Sequence, residues 1–209
     1  MTALCIALAF AATPWTTART DEAAPAELAR PVRDVLSADP VEVRTGDRVL
    51  TVWLRAKFPV TASEEQAKNG LTLREVPSGT LMGAARFDAA FTDYRKQSIP
   101  AGVYTLRSAT QPDTGDHAGT APHPDFLLLI PAKGDTGVES LDPGALVKAS
   151  RGATAGDHPG VMLAWPTPAG PLAVLDKAGA RVLRLSRPAE GVSGTLTFGL
   201  TVDGHSVTR

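Results

Sequence analysis

The strongest constraint in this chain is a period of two. Apolar side chains at Leu50, Val52, Leu54, Ala56 and Phe58 alternate with Thr51, Arg55 and Lys57, and the rhythm returns at Phe87, Ala89 and Phe91 against Arg86, Asp88 and Thr92. Successive side chains of an extended chain point to opposite faces, so these runs predict strands buried on one side and wet on the other. Tyr104 and Leu106 repeat the pattern against Thr105 and Arg107. Leu196, Phe198, Leu200 and Val202 repeat it most cleanly, against Thr195, Thr197, Thr201 and Asp203. Phe126 to Ile130 is apolar without alternation and ends at Pro131, as a central strand covered on both faces would be. Shorter runs at 71–76, 81–85, 161–165, 172–175 and 182–185 are further strand candidates. We expect Tyr104, Leu106, Phe126, Leu128, Phe198 and Leu200 to share one core.

Only two segments read as helices. Ser63 can cap a turn through Lys68 with Gln66 three residues on, before the stop at Asn69-Gly70, and Asp142-Pro143 opens a second that runs to Gly152. Short strands separated by turns, in a chain with 17 prolines, form sandwiches or closed barrels. The expectation is an all-β fold, a single antiparallel-rich β-sandwich with one or two short helices. At 209 residues and 43% hydrophobic content there is enough chain for one core without cross-links. A net charge of −1 supplies no basic excess for nucleic acid or an anionic membrane, so neither is expected as a partner.

The N-terminus points to export. Leu4 to Ala12 is apolar, Thr16-Thr17-Ala18 follows, and Arg19 is the first charge. That order predicts a signal peptide over residues 1–18, cleaved after Ala18, and a periplasmic or extracellular product. The apolar run is shorter than the about 20 residues that span a bilayer, so no stable transmembrane span is expected after cleavage. A buried N-terminal strand is the alternative reading of the same stretch. Cys5 is the only cysteine and lies inside the run, so the processed chain would have no thiol. Residues 19–40 are rich in Ala, Pro and charge without a period, which suggests a linker with at most a helical turn near Glu27 to Leu36, and places the folded domain at 41–209.

No nucleophile elbow, phosphate loop, dinucleotide fingerprint, H-E-x-x-H or C-x-x-C is present. The one concentration of reactive side chains is a short echo. Gly115-Asp116-His117 is answered by Gly156-Asp157-His158, each copy ahead of an apolar run. His117, His158, Asp116 and Asp157 are therefore the candidate ligand-binding residues. His117, His123, Asp125 and His158 are the candidate metal ligands, because imidazole and carboxylate suit zinc. Loop carboxylates at Asp113, Asp116, Asp125, Asp135 and Asp157 would suit calcium. The competing reading is a turn used twice, in which Gly supplies positive φ and Asp caps its own loop. We expect the two echo loops at one end of the domain, ahead of adjacent parallel strands. Trp53 is out of phase with its strand and Trp165 precedes Pro166; both are expected to pack under a loop or helix.

Ile99-Pro100-Ala101-Gly102-Val103-Tyr104-Thr105-Leu106-Arg107, then Gly115-Asp116-His117 and Asp125 to Pro131, form a block similar to an I-P-A-G-x-Y-x-L strand region of uncharacterised secreted bacterial β-sandwich domains. The resemblance covers about residues 71–166. It implies export and a sandwich in which Tyr104 and Leu106 face the core and Arg107 faces out, and it carries over no known activity. The expected function is a non-catalytic exported domain that binds an unidentified protein or small molecule, or serves an envelope assembly. A small metal-dependent enzyme or metal-binding protein built on the two Gly-Asp-His loops is the alternative.

Overall fold

A computed structural model describes residues 13–112, 120–156 and 158–206. The strands are β1 (Thr16–Arg19), β2 (Val41–Thr45), β3 (Arg48–Leu54), β4 (Phe58–Pro59), β5 (Leu81–Phe87), β6 (Phe91–Thr92), β7 (Ser98–Ile99), β8 (Gly102–Thr110), β9 (Asp125–Pro131), β10 (Gly160–Pro166), β11 (Val174–Lys177), β12 (Ala180–Glu190) and β13 (Thr195–Asp203). Helices α1 (Arg30–Asp34), α2 (Glu64–Lys68) and α3 (Pro143–Ser150) lie between them. Among the described residues, no helix is long and apolar enough to cross a membrane.

Eleven strands form one sheet in the order β1-β2-β3-β5-β8-β9-β10-β13-β12-β11, with β4 joined to β12; β6 and β7 form a separate hairpin. The chain is all-β, as the alternation requires. In place of two facing sheets, a single sheet rolls up until β4 pairs in parallel with the end of β12, Phe58 opposite Ala189, and the result is a nearly closed barrel. The corner is β10, whose Gly160–Leu163 half pairs with β9 and whose Ala164–Pro166 half pairs with β13. A strand that changes partners along its length turns the sheet direction. Periodicity reports which face is buried and not how the sheet closes, so a barrel and a sandwich read alike in the sequence.

The interior holds Val52, Leu54, Tyr104, Leu106, Leu127, Leu129, Phe198 and Leu200. Phe126 and Leu128, expected in the same core, face the other way. They join Leu146 of α3, Val161, Leu163 and Trp165 in an outer layer. β9 is covered on both faces as anticipated, and for that reason its sequence could not say which parity points inward. A third cluster lies within the stretch that composition reads as a linker: Leu28 and Val32, fully buried, pack with Leu81, Ala84 and Ala132.

Both helix signals hold. Ser63 and Gln66 form a reciprocal capping box on α2, and Asp142 accepts hydrogen bonds from the Gly144 and Ala145 N–H groups at the start of α3. Two strand expectations change. Residues 71–76 contain a one-turn helix, Leu73–Glu75, because Thr72 and Glu75 cap one another. The Phe87 to Phe91 run is broken between β5 and β6, leaving Ala89 exposed.

Candidate functional site

Of the sequence-derived ligand-binding and zinc candidates the structure describes His123, Asp125 and His158, and it sets His158 apart from the other two. Asp113, Asp116, His117 and Asp157 lie outside the described residues. His123 is half-buried at the far end of β10, its ring edge-on to Trp165 with centroids 4.9 Å apart. The Trp165 indole N–H in turn donates to Thr201 Oγ1 at 2.8 Å. His158 is exposed ahead of the opposite end of β10, in a turn closed by the Thr154 hydroxyl, which donates to the His158 carbonyl at 2.7 Å. Trp165 stands five residues along β10 from Gly160, about 17 Å at about 3.4 Å per residue. Ligands of one zinc need nitrogens within about 4 Å of each other, given bonds of about 2.0 to 2.1 Å. His123 and His158 are therefore not partners in one centre.

The expectation behind that pairing fails at the strands. β9 and β10 are adjacent but antiparallel, with Leu129 opposite Gly160 and Phe126 opposite Leu163. The segment between them carries α3, which packs against β9 and returns the chain at the end it left, where a parallel pair would need a crossover to the other end. Among the described residues no group of three or more His, Cys, Asp or Glu side chains is placed to hold a metal.

His123 and Asp125 do share one mouth of the barrel. Burial pushes the His123 imidazole below its ordinary value, opposed by the charge of Asp125 and aided by that of Lys177. Burial also pushes the Asp125 carboxyl up, against the charges of Arg74 and His123. A neutral imidazole beside a carboxylate can accept a proton or ligate a metal. The stem of the adjoining Gly-Asp-His loop is fixed, with the Gln111 N–H on the Pro124 carbonyl at 2.7 Å and the Gln111 side chain donating to Thr120 Oγ1 at 2.8 Å.

The largest polar constructions are structural. Arg107 is on the outer face of β8, as its phase dictates, but it is 0% exposed and not turned to solvent. Its guanidinium donates to both Asp135 carboxylate oxygens at 2.6 and 2.8 Å, and to the carbonyls of Gly79, Glu139 and Gly137 at 2.7 Å each. All five N–H groups are thereby engaged, and the loop from Asp135 to Glu139 is clamped to the sheet. Gly79 sits at φ +83° with the Leu141 backbone against the place a Cβ would occupy, so a side chain there would break the clamp. Asp93 is equally buried and accepts from the N–H groups of Arg95, Gln97 and Val161 and from the Gln97 side chain. It locks the β6–β7 hairpin to the first half of β10 at Val161, opposite Leu128 of β9. Trp53 is packed as expected, its indole N–H on the Glu22 carbonyl at 3.0 Å and Arg86 over its ring at 5.4 Å.

One site went unread in the sequence. β1 is a mostly exposed edge strand paired antiparallel with β2, Thr17 opposite Val43 and Arg19 opposite Val41. Just ahead of it, Trp15 forms one wall of an apolar notch lined also by Val43, Leu50, Phe87, Phe91 and Val202, with Arg48 6.0 Å from its ring centre. Phe87 stacks on Phe91 at 4.6 Å and meets Tyr104 edge-on at 5.8 Å, so the notch opens onto an aromatic row of the inner core. Arg19 closes the edge through Asp39 at 2.6 Å. Trp15 was overlooked because it falls inside the stretch that reads as a leader.

Comparison with family models, with curated proteins and with solved structures finds no match.

Proposed function

We propose that the chain is an exported, non-catalytic β-domain that binds a partner in the periplasm or outside the cell. The observation that supports binding is the edge of the sheet at β1 and β2 with its aromatic notch. An open sheet edge beside an apolar pocket offers backbone hydrogen bonds and a side-chain anchor together. The buried ionic groups Arg107, Asp135 and Asp93, by contrast, have their bonding capacity committed to holding loops. Export rests on the apolar run Leu4 to Ala12 and Thr16-Thr17-Ala18, and the likeness of residues 99–107 and 125–131 to secreted bacterial β-sandwich domains agrees with it.

A metal-dependent reading draws on His123 and Asp125 at one mouth, with His117 and Asp116 in the loop that precedes them in sequence. Zinc is the metal an imidazole and carboxylate set would favour, and calcium would use the carboxylates alone. One preparation separates the readings: the full chain expressed untagged with its own N-terminus, its outer fractions analysed by intact mass and for metal content. The proposal expects a chain beginning near Arg19 with no stoichiometric metal. An intact Met1 in the cytoplasm would overturn export. One equivalent of zinc per chain, lost on His123→Ala, would overturn the non-catalytic reading in favour of the metal site.

A further inference from the structure

The cleavage expected after Ala18 falls inside β1, between two residues that the sheet holds as one strand. Cutting there removes Trp15, which walls one side of the notch, and Thr16 to Ala18, which pair with Arg44, Val43 and Glu42 of β2. Among the described residues, β2 is the only strand that pairs with them. The three buried clusters draw their members from Leu28 onward, and from this segment only Trp15 packs against one, from its rim. Arg19 stays behind with its ion pair to Asp39. The processed domain would therefore keep its core and gain a bare β2 edge beside an empty aromatic-lined notch.

Resting on the export reading above, we propose that processing turns this edge into a docking site for an extended, uncharged segment of another protein that carries a large aromatic side chain. The segment the chain itself places there defines the chemistry. Trp15 supplies an apolar ring that packs on the rim of the inner core beside the notch and a face for the Arg48 cation. Thr16 and Thr17 are β-branched residues suited to a strand, and no charge occurs from Thr13 to Ala18. A charged segment would meet the Arg44 and Glu42 side chains, which already pair with each other along β2. Docking would add one strand to the sheet, the backbone giving affinity and the aromatic anchor giving selectivity.

The test uses the exported protein as the cell produces it, labelled with ¹⁵N, and a synthetic peptide of residues 13–18, Thr-Pro-Trp-Thr-Thr-Ala, with blocked ends. The inference expects a chain starting near Arg19, saturable shifts of the Val41 to Thr45 amides on peptide addition, and at least tenfold weaker binding by the peptide with Trp15→Ala. An exported chain that starts upstream of Thr13 would overturn the inference and leave export standing. So would a chain starting near Arg19 whose β2 amides ignore millimolar peptide. A processed chain that is dimeric and refuses the peptide would replace it with edge-to-edge pairing of two copies. An unexported chain carrying Met1 would remove both this inference and the export reading on which it rests.

Discussion

The flank of the barrel around β8 and β9 and the edge at β1 use the same kinds of residue in opposite ways. At Arg107 an ion pair 0% and 4% exposed on its two sides has five hydrogen bonds to fixed acceptors, and it joins a loop to the sheet permanently. At Arg19 the pair with Asp39 is 44% and 45% exposed, and it secures a four-residue strand that contributes nothing to the inner core. Water sets the difference. A buried charge must be fully partnered, and removing one partner strands the other in a medium that cannot solvate it. An exposed pair can separate at little cost because water replaces it. The first arrangement builds a frame, and the second leaves an edge that can be exchanged.

Three measurements would break or sharpen that contrast. The largest effect belongs to the clamp. Asp135→Ala leaves Arg107 buried with two donors unpaired, and equilibrium unfolding in urea should show a loss of about 3–5 kcal/mol; a loss below about 1 kcal/mol would mean that the loop is not anchored by this pair. Next comes the packing on the same flank. Leu129→Ala, at a fully buried inner position of β9, should cost about 2–5 kcal/mol in the same assay, and a near-neutral result would show that the inward parity of β9 is wrong.

The smallest effect lies at the edge. Burial is the strongest influence on Asp39 and raises it, but hydrogen bonds from Ser37 and Arg187 and the charges of Arg187 and Arg19 together hold its carboxyl below the usual 3.8. A carboxyl whose folded value is depressed stabilises the fold above its unfolded value and ceases to do so as pH falls through the folded one. Asp39→Asn should therefore cost at most about 1 kcal/mol at pH 7. The gap between the two proteins should close as unfolding is repeated below about pH 4, through the range where an unpaired carboxyl titrates. A gap that does not narrow as the pH is lowered would assign the effect to packing and not to charge.

Much of the architecture was legible because it follows from local rules. Alternation gave the inward faces of β3, β8 and β13, though Thr51, Thr105 and Thr201 on their other faces are buried where water was expected; the unbroken run gave a doubly covered β9, and the Ser63 and Asp142 caps gave α2 and α3. The fate of Arg107 was only half legible. Its phase put it on the outer face, but burial there depends on a loop that arrives from 28 residues further along the chain. The candidate site was the least legible part. The repeated Gly-Asp-His is a real echo, yet neighbouring positions in a pattern do not become neighbours in space unless strand direction agrees, and β9 and β10 run antiparallel.

By itself, then, the sequence determined the class of fold, the inward faces of its alternating strands and the starts of α2 and α3, since each depends on contacts between residues a few positions apart. Tertiary structure alone decided that the sheet rolls into a near-barrel, that β10 is the corner, that Leu127 and Leu129 point inward while Phe126 and Leu128 point out, and that Trp15 walls a notch at the edge. These are long-range pairings. Their free energies come from surfaces that meet only after the chain has folded, and a one-dimensional pattern holds no record of which surfaces those will be.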